Sequence, residues 1–268
     1  MSSNPKGKVV ITGASGGIGA VYADRFAKRG YDLLIVARDS QRLNEVSTKL
    51  SAKYGVKVDT LAADLTDRVA LKKLENQLQT DTTVSILVNN AGFGGTKSLT
   101  DSSIDELENM IFLNVTALTR LTAAVLPNLI ARNVGAVINI ASVVAVNPDV
   151  LNGTYSGSKA YVLNFTQSLF TNLKDTDVQV QAVLPGATRT DFWGRAGLPV
   201  HNLPEANVMS AEDCVDAALV AFDQKELVTI PALPDVEIWN KFEQSRLALY
   251  PYLSNKEPAD RYGLKSLV

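Results

Sequence analysis

The chain has 268 residues, a length that fits one large α/β domain as easily as two small ones. Hydrophobic residues make up 46% and charged residues 20%, the balance of a globular protein with a substantial core. The formal net charge of −2 provides no basic face for general nucleic-acid binding, so no nucleic-acid partner is expected.

In chain order, residues 1–10 lack the apolar core of a signal peptide. Apolar, β-rich runs at 8–12, 32–37, 56–64, 84–89, 135–141, 178–184 and 227–230 predict seven strands. Their near-continuous Val, Ile and Leu content is that of strands covered on both faces, as in a parallel sheet. Helical periodicity fills the gaps. Ile18, Val21, Tyr22 and Phe26 share one face of a helix ending near Gly30. Further helices are expected over 39–53, 66–79, 103–132 (with Pro127 near its end), 154–174 and 210–223. Strand–helix alternation of this kind predicts an α/β fold with a doubly wound, seven-stranded parallel sheet and helices on both faces. One domain over 1–268 is the simplest organisation. No run reaches the roughly 20 apolar residues expected of a membrane span.

Cys214 is the one cysteine, so no intrachain disulfide can form; this agrees with a reducing compartment, and a cytoplasmic location is the expectation. It lies in a helical stretch, where ordinary packing is the expected role. His201 is the one histidine, in a Pro-flanked loop, and with no Cys pair no metal site is expected. Residues 231–268 differ in character: Pro231, Pro234, Pro251 and Pro258 punctuate Trp239, Phe242, Tyr250 and Tyr252. This C-terminal extension reads either as a cap on a pocket or interface, or as a tail packed along the surface.

After the first strand comes Thr12-Gly13-Ala14-Ser15-Gly16-Gly17-Ile18-Gly19. Glycines allow a tight turn and close approach of the backbone to a pyrophosphate, and the helix N-terminus behind them offers free N–H groups to an anion. No Gly-Lys-Ser/Thr follows, which excludes the loop of nucleoside triphosphatases. Together with the strand–helix context, the turn predicts a Rossmann-type dinucleotide site. The second strand ends in Ala37, where an acid would grip the ribose of a dinucleotide without a 2′-phosphate. Arg38 follows, and a guanidinium can pair with a 2′-phosphate. Asp39 can serve instead as the cap of the next helix. NADP(H) is therefore the preferred cofactor, with NAD(H) as the alternative.

Ser142 lies near the end of the fifth strand, and Tyr155-Ser156-Gly157-Ser158-Lys159 follows. Tyr155 and Lys159 are four apart, on one face of a helix. A neighbouring ammonium favours the phenolate, so Lys159 is expected to lower the pKa of Tyr155 and tune it for proton transfer. Ser142 can hydrogen-bond a substrate oxygen where charge develops.

With these motifs in order, the chain resembles the compact, single-domain branch of the short-chain dehydrogenase/reductase family from about Gly7 to Pro231, including Asp64, Asn89-Asn90-Ala91-Gly92, Asn114 and Pro185-Gly186-Ala187-Thr188-Arg189-Thr190. The resemblance implies that Tyr155 is the acid/base, that Lys159 also binds the nicotinamide ribose, that Ser142 orients the carbonyl and that Asn114 holds a water in a proton relay. It implies a cofactor site of Gly13, Ser15, Gly16, Gly17, Ile18, Gly19, Arg38, Asp64, Leu65, Asn90, Ala91, Gly92, Tyr155, Lys159, Pro185, Gly186, Thr188 and Thr190. It also implies a homodimer or homotetramer, with the helices over 103–132 and 154–174 as interface.

The expected activity is hydride transfer between the nicotinamide and a carbonyl or secondary alcohol carbon of a small, hydrophobic substrate. Ser142, Val144, Tyr155, Phe192 and Trp193 are the expected substrate contacts, with Phe93, Val143, Asn147 and Leu198 nearby and 186–209 as a lid. Two alternatives stand beside this: an NADP-binding regulatory or scaffold protein without turnover, and an NAD-dependent enzyme of the same chemistry.

Overall fold

The computed structural model describes residues 6–264, so residues 1–5 and the last four of the extension lie outside the description. The chain divides into two compact units, Met1–Pro231 and Ala232–Val268. In the first, strands β1 (Lys8–Thr12), β2 (Asp32–Ala37), β3 (Val58–Ala62), β4 (Val84–Asn89), β5 (Gly135–Ile140), β6 (Val178–Val183) and β7 (Val228–Thr229) form one sheet. Its order is β3-β2-β1-β4-β5-β6-β7 and every pairing is parallel. The third and seventh strands are shorter than their apolar runs suggested. Each is an edge strand and pairs only where its single neighbour offers backbone, β7 with Ala182 and Val183 alone.

Side chains alternate across each strand, and both faces are buried. Val9, Ile11, Leu33 and Ile35 meet Tyr22, Phe26, Leu43, Val215 and Leu219. These come from helices α1 (Gly17–Lys28), α2 (Ser40–Tyr54) and a helix over Ala211–Asp223. Val10, Leu34, Val36 and Leu87 meet Leu71, Leu74, Leu78, Leu121, Val125 and Leu129 on the opposite face. Those belong to α3 (Arg68–Thr80) and the long helical segment after β4. Each large apolar side chain so buried contributes about 1.5–3 kcal/mol. Cys214 is buried among these side chains, and burial pushes its thiol up to about 11, which fits a packing role.

The single helix expected over 103–132 is interrupted. It consists of α4 (Ile104–Ile111), a wide π-helical turn at Phe112–Ala117, and α5 (Leu118–Arg132). By length and mean apolar content, Ile104–Arg132 is long enough to cross a membrane, although polar residues such as Asn114 and Arg120 interrupt it. In the fold it is a core element: Leu121, Val125 and Leu129 pack on the sheet, and Arg120 makes a two-pronged ion pair with the buried Glu75 of α3. The remaining helices are α6 (Gly153–Asn172), a short α7 (Phe192–Arg195), α8 (Ala211–Asp223) and α9 (Val236–Leu247). Helix α9 lies in the second unit, starts at an Asp235 cap and carries a Trp239–Phe242 ring pair at 5.2 Å.

Candidate active site

Strand order reverses between β1 and β4, and the crevice outside their carboxyl ends is where open α/β sheets bind ligands. Two side chains pin this point. The Thr12 hydroxyl accepts the N–H groups of Asn90 and Ala91, each at 3.0 Å. The Asn90 amide donates to the Thr12 and Gly13 carbonyls at 2.9 and 3.2 Å. The turn between them needs left-handed backbone at Gly13 (φ 69°) and Gly17 (φ 53°), where a side chain is strained. A Cβ on Gly16 would meet nothing within 4 Å, so its backbone faces open space at the start of α1.

A cleft of about 710 Å³ runs along these strand ends. Of the residues expected to hold a cofactor, all but Gly19 line it. Gly19 is buried in α1, where a Cβ would come within 2.4 Å of the Gly13 carbonyl oxygen, so its bareness serves helix–turn packing. Arg38 stands exposed on the wall, its guanidinium 3.9 Å from the Asp64 carboxylate, whose other oxygen accepts from the Thr66 N–H and hydroxyl. Asp39 caps α2 by accepting from the Arg42 N–H at 3.0 Å.

At the other end, Ser142, Val144, Tyr155, Phe192 and Trp193 all face the cleft, with Phe93 and Val143. Asn147, Leu198 and His201 do not line it. Leu203 and Asn207 of the expected lid segment line it, and so do Leu113 and Leu151, which nothing in the sequence marked. They are ordinary apolar or loop residues brought in by chain path alone.

The side chains expected to react come together. Helix α6 begins at Asn152, which caps the Thr154 N–H at 2.8 Å and donates to the Lys97 carbonyl. A buried polar chain fixes α6 on the sheet: Asn89 donates to Asn139 and to Thr122 of α5, and Asn139 donates to Thr166 of α6, each at 2.9 Å. Tyr155 and Lys159 are thereby held, both buried, against the end of β5 beside Ser142. Lys159 Nζ donates to the Ile140 carbonyl at 2.9 Å. Its expected lowering of the Tyr155 pKa is not what these protein groups produce. Burial pushes the phenol up to about 12, with the Ser142 hydroxyl pulling the other way, and burial pushes Lys159 down to about 8. Removal of the charged form from water is the largest influence on each group.

Asn114, in the π-helical turn, does not line the cleft. Its amide donates to the Phe93 carbonyl and the Ser158 hydroxyl and accepts the Phe93 N–H, at 2.9, 3.0 and 3.1 Å. It staples the loop after β4 to α6. Among the described residues, no group of three or more metal-ligating side chains exists.

Residues 186–209 form a loop with a pinned base: Arg189 N–H donates to Met209 O, and Met209 N–H to Ala187 O, at 2.8 and 2.9 Å. Trp193 of α7 donates its indole N–H to the Thr188 carbonyl at 2.9 Å. The Thr96 hydroxyl donates to Ala196 O at 2.8 Å, and Arg42 pairs with Asp191 at 2.7 Å.

Known proteins resemble this chain in sequence and fold. A family profile described as short chain dehydrogenase matches residues 7–198. A short-chain dehydrogenase from Sphingobium yanoikuyae, solved in complex with NADPH, superposes with a TM-score of 0.93 at 46% identity, covering 97% of this chain and 100% of that one. The bulky-bulky ketone specific alcohol dehydrogenase from Comamonas testosteroni gives a TM-score of 0.89 at 40% identity, covering 97% and 99%. The very-long-chain 3-oxoacyl-CoA reductase-B of Danio rerio is 33% identical over 82% of this chain and 70% of its own length. Against that fish's reductase-A, the chain spans 56% of the relative's length. Sheet order, glycine turn and family match converge: this chain belongs to the short-chain dehydrogenase/reductase family and is an oxidoreductase.

Proposed function

We propose that the chain uses NADP(H) to interconvert a neutral, hydrophobic ketone or aldehyde and the matching alcohol, with Tyr155 as proton donor and acceptor. One observation carries this reading: Ser142, Tyr155 and Lys159 meet in the same cleft whose far wall holds Arg38 and the glycine turn. The bound NADPH of the Sphingobium relative and the ketone specificity named for the Comamonas relative support it.

The residues fit such a cofactor. The open backbone at Gly16 and the N-terminus of α1 suit a pyrophosphate, and Arg38 suits a 2′-phosphate. A Cβ on Gly92 would lie 2.9 Å from Asn114 Oδ1 and 3.5 Å from Lys159 Nζ, so the loop after β4 must stay bare to run past them. When bound, the dinucleotide supplies or accepts the hydride.

In the reducing direction the Tyr155 hydroxyl, held protonated at neutral pH by burial, donates its proton to the forming alkoxide. Ser142 donates a hydrogen bond to the same oxygen. Lys159 in its ammonium form steadies the phenolate left behind. Phe93, Val144, Leu151, Phe192 and Trp193 exclude water from the reacting end. Self-association belongs to the same reading, through the exposed Ile111 of α4 and Tyr161 and Phe170 of α6. Sedimentation of Phe170→Glu tests it: a persistent oligomer removes this face from the reading.

The function is tested by screening NADPH oxidation over aldehydes, ketones, quinones and 3-oxo compounds. Turnover of apolar ketones supports it. Binding of NADPH with no turnover across the panel supports instead a scaffold role.

A further inference from the structure

We propose that Gly94 sets the size of substrate accepted at the reacting carbon, by leaving the space in which Phe192 of the lid packs beside Tyr155. This rests on the carbonyl chemistry proposed above. Gly94 is buried in the irregular loop after β4. Its φ lies outside the left-handed region, so alanine can adopt its backbone and conformational freedom is not what requires glycine here. Space is. A Cβ built on Gly94 would lie 2.8 Å from Phe192 Cζ and 3.0 and 3.1 Å from Tyr155 Cδ2 and Cε2.

Both rings are otherwise held. Phe192 tilts at 44° to Tyr155 with centroids 5.6 Å apart, and meets Trp193 edge-on at 5.4 Å. Trp193 is tied to Thr188, and the end of α7 is tied to Thr96, so the short helix cannot slide away cheaply. Tyr155 is fixed through α6. The shorter contact is with Phe192, so the larger shift falls on that ring, which packs in one cluster with Met110, Val144 and Leu151. A methyl group at 94 therefore drives that ring into the space a substrate uses. Gly95, one residue on, is different: a Cβ there meets only Met110 Cε, at an ordinary 3.7 Å.

Gly94 is thus a positioning residue that acts through Phe192. The test compares wild type, Gly94→Ala, Gly95→Ala and Gly94→Ala/Phe192→Leu. KM and kcat are measured with acetone and with benzophenone. Benzophenone binding to protein loaded with NADP+, where no hydride is available, is followed by ligand NMR line broadening. Gly94→Ala should weaken benzophenone in KM and in binding by roughly tenfold or more, while acetone and NADPH affinity change by less than about threefold. Phe192→Leu in that background should recover most of the loss, and Gly95→Ala should match wild type. Equal loss for both ketones, no loss, no recovery on trimming Phe192, or failure of wild type to bind benzophenone overturns the proposal. If wild type reduces neither ketone, the carbonyl chemistry fails, and the binding comparison still decides the role of Gly94.

Discussion

Lys159 Nζ lies 5.7 Å from the centre of the Tyr155 ring and donates to the Ile140 carbonyl at 2.9 Å. The two groups are buried together, and burial moves them in opposite directions, the phenol up to about 12 and the ammonium down to about 8. At neutral pH the pair is thus neutral phenol and largely protonated amine, the state needed to give a proton to a ketone oxygen.

The pH profile follows from the sign of the lysine shift. A lysine with a lowered pKa is charged below that value and neutral above it. As pH rises through about 8, Lys159 loses its charge, which in the proposed mechanism steadies the Tyr155 phenolate. The kcat/KM for ketone reduction should therefore fall along a limb near pH 8, and Lys159→Arg, which stays charged, should shift that limb upward. A flat profile between about pH 6.5 and 9.5 contradicts this assignment.

Arg38 should discriminate between the two nicotinamide cofactors. It is exposed, and its one ion-pair partner among the described residues, Asp64, is 3.9 Å away, so little holds it from a phosphate. Arg38→Ala should weaken NADPH binding about 10–100-fold, the worth of a charge-assisted hydrogen bond, and change NADH binding by less than about twofold. Titration of both cofactors by fluorescence checks it; unchanged NADPH affinity returns NAD to first place.

The Arg42–Asp191 pair at 2.7 Å joins α2 to the 186–209 loop, the proposed lid. Both side chains are about half exposed or more, so the pair adds little to stability. Its effect should fall on lid opening. Asp191→Asn should speed NADPH release about two- to fivefold in stopped flow while shifting Tm by less than about 2 °C. Salt should erase the difference between variant and wild type, since the pair is screened.

The sheet and the meeting of Ser142, Tyr155 and Lys159 were legible because their signals are local. Val9 to Ile11, Leu33 to Val36 and Leu87 are apolar on both faces, and Tyr155 and Lys159 share a helical face at a fixed spacing. What escaped depends on distant partners. The π-helical turn at Asn114 answers to the backbone of Phe93, and no propensity in residues 112–117 announces it. Gly19 sits in the glycine motif yet serves packing against Gly13, which spacing cannot separate from cofactor contact. Leu151 enters the cleft through a loop, where side-chain direction is set by chain path. The mutual tuning of Tyr155 and Lys159 was read from charge alone. Burial, which a sequence does not display, reverses its direction.

The central claim is that Tyr155 carries the proton. Tyr155→Phe keeps the ring against Gly94 and Phe192 and removes only the hydroxyl. Measured with NADPH and the best ketone of the screen, the variant should bind NADPH within about twofold of wild type and lose at least about 10²-fold in kcat, the usual contribution of a placed acid. Wild-type turnover in Tyr155→Phe, with NADPH still bound, contradicts the account.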